Sequence, residues 1–183
     1  MKIQFEPDKF AELTLYISSK CAGDPNFGAT KLNKILFFAD FLAFRKWLKP
    51  ITNATYQKLD HGPAPKCMLP VREQLVAEGR LEIQEVGRFG FTQKRPVALQ
   101  DANLKTFTAD EIALVDDVID ALRDANTASV SEFSHGFWWQ VAKAGEEIPI
   151  EVSLVELPDE ASTEEIKHAE SLQDIAGELI GAN

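Results

Sequence analysis

The strongest hydrophobic pattern in the chain lies in residues 29–48, where apolar side chains recur at the spacing of a helix. Four phenylalanines widen this stripe until little of the middle of the segment is polar. A helix that is apolar on nearly every face belongs in the centre of a domain. Thr30 is the expected N-cap residue, and Pro50 marks the exit from the helix. The pattern therefore predicts a central helix, with Asp40 as the one acid in its aromatic run.

Shorter patterns on both sides of this segment predict the elements that pack around it. In chain order they are a helix over residues 7–21, a strand over 51–59, a helix over 65–78, a β-hairpin over 81–99, a helix opened by a capping box of Thr108 and Glu111, a helical stretch over 129–144 and an extended segment over 148–150. The predicted fold class is α+β and predominantly helical, with helices around a central apolar helix and a small antiparallel β-hairpin. The order of strand, helix and hairpin after the central helix also predicts a partly winged-helix-like arrangement.

A tight turn is predicted at His61, Gly62 and Pro63, between the predicted strand and the helix over residues 65–78. Glycine and proline favour such corners because glycine tolerates unusual backbone angles and proline fixes its own. We expect a structural corner in which His61 binds a nearby acid, and Asp40 is the first candidate.

The C-terminal part of the chain differs from the rest in charge. Of the net charge of −10, residues 151–183 contribute nine acids against one lysine, so residues 1–150 are close to neutral. Behind a second capping box, Ser162 and Glu165, apolar residues recur at helical spacing. The sequence thus predicts a main domain over residues 1–157 and an acidic amphipathic helix over residues 158–183. An isolated helix is marginal in water, so its apolar face needs a cover. This face could pack against the domain itself, against a second copy of the chain or against a partner. Of these three, we expect a partner-specific role.

Composition excludes several classes of function. The body lacks the clustered basic residues of a nucleic-acid-binding surface, which argues against nucleic acid as the main ligand. No apolar run reaches the roughly 18 residues that a membrane-spanning helix needs, and the N-terminus lacks the layout of a signal peptide, so we expect a cytoplasmic protein. Cys21 and Cys67 form no CxxC motif, which argues against a disulfide framework and a zinc site. No phosphate-binding or dinucleotide-binding motif occurs, and we expect no cofactor.

Two groups of residues could carry chemistry or binding. Cys67 with His61 or His135 could form a nucleophilic pair, which needs a thiol of lowered pKa and an oriented imidazole. Nothing in the spacing fixes that geometry, so structural roles are favoured and we expect no enzyme activity. Lys31, Asn33 and Lys34 lie in the first turn of the central helix, where a solvated turn is favoured over a ligand site. Two roles stay open for the adjacent Trp138 and Trp139, packing in the core and anchoring an interface.

Three segments together resemble a known family. They are residues 30–40 (TKLNKILFFAD), residues 51–56 leading into HGPAP at 61–65, and Ser134 and His135 through Trp138 to residues 144–149. They resemble the Panacea domain, also described as the SocA-like antitoxin or phage-associated GepA-like family, over about residues 8–152. The residues of this chain that match the family pattern are Lys31, Asp40, Tyr56, His61, Gly62, Pro63, His135 and Trp138. Asn53 stands where the pattern has glycine.

The resemblance implies an antitoxin of a toxin–antitoxin system, one that neutralises a cognate toxin encoded by the adjacent gene through direct protein binding. It implies no catalytic residue among the matched positions. Two alternatives stay open: a winged-helix-like DNA-binding regulator, and an adaptor that presents a bound partner to a protease. A homo-oligomer also stays open.

Overall fold

The computed structural model describes residues 4–88, 90–123 and 143–154. The elements of these ranges are helices α1 (Pro7–Lys20), α2 (Ala29–Trp47), α3 (Met68–Ala77) and α4 (Ala109–Leu122), strands β1 (Tyr56–Leu59), β2 (Gly62–Pro65), β3 (Leu81–Arg88), β4 (Phe91–Ala98) and β5 (Glu147–Ile148), and the short 3-10 helices Leu104–Thr106 and Ile150–Leu154. The α+β class with small antiparallel sheets is confirmed. None of the described helices is both long and apolar enough to cross a lipid bilayer.

Helix α2 lies at the centre of the hydrophobic core, as the pattern predicts. Ile35, Leu36 and Phe37 have no exposed surface, and α2 packs against α1, α4, β2, β4 and the last 3-10 helix. The predicted N-cap is wrong, because the helix already begins at Ala29 and the cap residue is Gly28, with no side-chain cap bond. The chain passes close to β4 at this point. A Cβ atom on Gly28 would lie 2.9 Å from the Cγ atom of Gln93.

Helix α4 begins with the predicted capping box, and the same residues anchor it to α1. The Thr108 side chain accepts from the Glu111 amide, and Glu111 Oε2 accepts from the Thr108 amide at 2.9 Å. The second carboxylate oxygen of Glu111 lies 2.7 Å from Nζ of the buried Lys9 of α1. One acid therefore caps α4 and satisfies a buried ammonium, which needs a partner when it leaves water.

The strands form two separate antiparallel sheets. Strands β3 and β4 make the predicted hairpin, and β1 lies between β2 and β5 in a three-stranded sheet. Only Tyr56–Leu59 of the predicted strand over residues 51–59 is extended. The preceding residues turn instead, because Thr52 binds the buried Asp40 through its amide and its hydroxyl, and Asn53 has φ 57°. Asparagine tolerates this left-handed conformation, which agrees with the glycine of the family pattern at this position.

The predicted corner at His61–Pro63 lies elsewhere in the topology than expected. Asp60 and His61 form the turn of a hairpin, and Gly62–Pro65 is its second strand, buried throughout against α2. The corner therefore joins β1 to β2, and α3 begins at Met68 rather than near residue 65. Gly62 has φ 120°, a backbone conformation that favours glycine.

Some predictions fall outside the described residues. These are most of the helical stretch over 129–144, with His135, Trp138 and Trp139, and the acidic helix over residues 158–183. The winged-helix-like detail is not confirmed by the described elements.

Candidate functional site

The first turn of α2 is buried, so the prediction of a solvated turn is wrong. Lys31 and Lys34 are 1% and 0% exposed. Nζ of Lys31 lies 2.6 Å from Asp24 Oδ2 and 2.8 Å from the carbonyl oxygen of Arg123, at the C-terminal end of α4. A carboxylate and a helix C-terminus both stabilise a cation. Lys31 therefore joins the loop before α2 to the end of α4.

The loop before α2 is itself held by side chains from two directions. Asp24 Oδ1 accepts from the Asn26 amide at 2.7 Å, and the guanidinium of Arg95 on β4 donates to the Asp24 carbonyl at 2.9 Å. Asp24 thus receives bonds from its own loop, from the sheet and from Lys31. This explains how a lysine can be buried at a helix N-terminus, where the helix dipole alone disfavours a positive charge.

Lys34 lies one turn further along α2 and has a perturbed acidity. Burial lowers the pKa of its ammonium group to about 8, because a low-dielectric surrounding disfavours the charged form. Next to it, Asn33 is half-buried, and its Oδ1 atom is buried without a hydrogen-bond partner in the described structure. A polar atom in that state usually contacts water or a ligand.

Asp40 forms a buried network that ties the start of the three-stranded sheet to α2. Its Oδ1 accepts from the Thr52 amide at 2.8 Å, and its Oδ2 lies 2.5 Å from Thr52 Oγ1 and 2.8 Å from the Tyr56 hydroxyl. The Tyr56 hydroxyl also lies 2.8 Å from the carbonyl of Leu36. Burial raises the pKa of Asp40, while the bonds from Thr52 oppose that rise. These contacts account for both carboxylate oxygens of Asp40, and a bond between Asp40 and His61 stays a prediction.

A cavity of about 350 Å³ lies between the first turn of α2 and the β1–β2 hairpin. Its lining residues are Thr30, Asn33, Lys58, Leu59, Asp60, His61, Gly62, Pro63, Ala64, Ala144 and Gly145. The structure thus brings together four of the sequence-predicted site residues, Asn33, His61, Gly62 and Pro63. Lys31, Asp40 and Tyr56 are not among the lining residues and support the elements that form the cavity.

The electrostatics of the thiols do not favour a nucleophile at this site. Burial raises the pKa of the Cys67 thiol to about 12 and that of Cys21 to about 11. A nucleophilic cysteine instead needs a thiolate near neutral pH. Within residues 4–88, 90–123 and 143–154, no group of three or more histidine, cysteine or acidic residues could hold a metal ion.

Sequence reasoning missed the residues that bind the singled-out side chains from distant parts of the chain. Asp24, Thr52 and Arg123 each bind a residue that was singled out, but they carry no local signal of that role. Asp24 lies in a turn, Thr52 lies in a β-branched run, and Arg123 binds Lys31 through its carbonyl oxygen. Their importance follows from contacts between distant parts of the chain.

Comparison with protein-family models gives one finding. The model described as "Antitoxin SocA-like, Panacea domain" matches residues 32–140, more than half of the chain. The chain therefore belongs to the SocA-like antitoxin family with the Panacea domain, which confirms the resemblance read from the sequence. Searches of curated proteins and of solved structures find no significant match.

Proposed function

We propose that this protein is an antitoxin that neutralises a cognate toxin, encoded by the adjacent gene, through direct protein–protein binding. The observation that carries the proposal is the family match over residues 32–140. The raised pKa of both thiols disfavours a cysteine nucleophile, and we propose no enzyme activity and no cofactor.

The face around the cavity is the proposed toxin-binding surface. Asp60 and His61 are exposed at the turn of the β1–β2 hairpin, with Lys58 and Asn33 beside them. The hairpin is held from behind, because Tyr56 at its base binds the buried Asp40. Polar side chains on a rigidly supported turn suit specific recognition, since little order must be gained on binding.

The outer strand of this sheet favours recognition through side chains. Pro63 and Pro65 on β2 carry no N–H group, and β2 is an edge strand of the described sheet. A partner strand added to that edge would find few hydrogen-bond donors. Contacts to the turn and the cavity are therefore favoured over strand addition.

The test is co-expression with the product of the neighbouring gene, followed by co-purification. The wild-type protein should restore growth and form a complex. The double variant Asp60→Ala/His61→Ala should weaken that complex about tenfold or more, which is about 1.4 kcal/mol. The matched control is Gln100→Ala/Asp101→Ala in another exposed turn, which should bind as wild type. Restored growth without a physical complex would show that direct neutralisation is wrong.

The DNA-binding alternative has less support from the described surface. A recognition helix over residues 65–78 would present Lys66 and Arg72, but Lys66 Nζ lies 3.1 Å from Glu147 Oε2 and Arg72 is half-buried. Basic groups that already pair with acids contribute less to a phosphate-binding face.

A further inference from the structure

The C-terminal end of α2 carries an exposed patch that is both apolar and basic. The α2 end patch consists of Leu42, Arg45, Lys46, Leu48 and Lys49, all exposed. Leu42, Arg45 and Lys46 are three and four residues apart and therefore share one face of the helix. Leu48 and Lys49 follow at the helix end. Between Asp40 and Asp60 the sequence contains no acid, so this patch lies in an acid-free stretch of a chain of net charge −10.

Leu48 is unusual for a residue in that position. It is the C-cap of α2 in the left-handed conformation, with φ 55°, and 64% of its surface is exposed. Glycine is common where a helix ends in this conformation, because a Cβ atom is unfavourable there. A large apolar side chain that stays mostly exposed, in an unfavourable backbone conformation, is consistent with a contact that the described residues do not include.

The described chain ends beside this part of α2. The 3-10 helix Ile150–Leu154 packs against α2, and Ile150 and Glu151 line a cavity of about 360 Å³ together with Phe44 and Pro50. The last described helical turn thus lies on α2, and its first residues lie beside the end of that helix.

The following segment has the complementary chemistry. Residues 158–183 contain seven acids and one lysine. Their apolar side chains at helical spacing include Ile166, Leu172, Ile175 and Leu179. We propose that the α2 end patch is the docking surface for the chain's own acidic segment, residues 158–183. Of the three surfaces that the sequence leaves open for the apolar face of this segment, the proposal selects the domain itself. It does not depend on toxin binding.

Two contributions act together in this docking. The apolar stripe of the segment covers Leu42 and Leu48, which removes apolar surface from water. The flanking acids meet Arg45, Lys46 and Lys49. Exposed ion pairs contribute little individually, so the apolar contact and the short covalent connection are both needed. The connection keeps the segment at a high effective concentration near the patch, and salt weakens the electrostatic part.

The test uses the full chain without any toxin. An equal mixture of unlabelled and ¹⁵N-labelled protein is treated at low salt with a zero-length carboxyl–amine cross-linker and analysed by mass spectrometry. We expect links from Lys46 or Lys49 to acids of residues 158–183 within one isotopic label. In addition, amide hydrogen exchange of the apolar stripe should be about tenfold faster in Lys46→Glu/Lys49→Glu than in wild type.

The matched control is Lys105→Glu/Lys143→Glu, which reverses two exposed lysines that are not part of the patch and should leave the exchange unchanged. Equal melting temperatures of the three proteins show that the body remains folded. Cross-links only between different labels would assign the patch to a second copy and overturn the proposal. Unprotected amides over residues 158–183 in the wild type, or equal exchange in both double variants, would also overturn it.

Discussion

Helix α2 carries basic residues at both ends, and the structure surrounds them differently. Lys31 and Lys34 in the first turn are buried, whereas Arg45 and Lys46 in the last turn are exposed. At the N-terminal end the helix dipole disfavours a cation, and Lys31 is stable there because Asp24 and the end of α4 surround its ammonium group. At the C-terminal end the dipole favours a cation, so Arg45 and Lys46 can carry their charge while exposed to water.

The comparison teaches that charge and spacing alone do not separate a structural lysine from a surface lysine. The buried end joins distant elements of the fold, and the exposed end is accessible for binding.

The largest effect should come from Lys31→Met. It leaves the Asp24 carboxylate and the Arg123 carbonyl without their ammonium donor, and breaking a buried pair in this way typically lowers the free energy of unfolding by about 3–5 kcal/mol. The matched substitution at the other end, Lys46→Met, should change it by less than about 0.5 kcal/mol. Urea unfolding of both variants gives the measurement. An equal decrease in the free energy of unfolding for Lys31→Met and Lys46→Met would contradict the difference between the buried and the exposed end of α2.

A smaller effect should appear in the pH dependence of stability. Burial lowers the pKa of Lys34 from 10.5 to about 8, so between these values the unfolded chain binds more protons than the folded one. Stability contributed by Lys34 should therefore rise from pH 8 to pH 10.5, by an amount of order 1–3 kcal/mol.

The measurement for Lys34 is the difference in unfolding free energy between wild type and Lys34→Met across this range. The difference is required because Cys21 and Cys67 have raised pKa values, and their titration lowers stability as pH rises. Lys46→Met serves as the control for loss of an exposed lysine and should leave the pH profile unchanged. A profile of Lys34→Met parallel to that of wild type would contradict the prediction.

The smallest effect concerns the hairpin beside the first turn. Gly62 has φ 120°, so Gly62→Ala forces an unfavourable backbone conformation and should destabilise by about 1 kcal/mol or more. Gly87→Ala is the control, because Gly87 lies in β3 without positive φ and with open space around its Cα. Thermal melting measures both. An unchanged melting temperature together with lost toxin neutralisation would instead make this corner a contact surface.

The parts of the fold that depend on local pattern could be predicted from the sequence. The stripe of α2, the capping box of α4 and the alternation of β3 and β4 all involve residues close together in the chain. The predictions are wrong where contacts between residues far apart in the chain determine the local structure. Thr52 leaves the predicted strand because Asp40 binds it, and Lys31 is buried because Arg123 reaches it across the fold.

The candidate site could be predicted in part for the same reason. The family pattern selected Lys31, Asp40, Tyr56 and His61 as one set. In the structure His61 lines the cavity, Asp40 and Tyr56 bind each other in the core, and Lys31 binds Asp24 beside a separate cavity. A sequence pattern identifies a set of residues that belong to one family. It does not show which of them lie on a binding surface and which stabilise the fold. Burial and hydrogen bonding make that separation.

The two prolines of β2 also affect the fate of the protein before it meets a partner. Exposed strand edges can recruit further strands and begin the growth of aggregates. Pro63 and Pro65 leave the outer edge of β2 short of donors, and β5 at the opposite edge is two residues long. This sheet is thereby a poor template for fibril growth while the chain is newly made and alone.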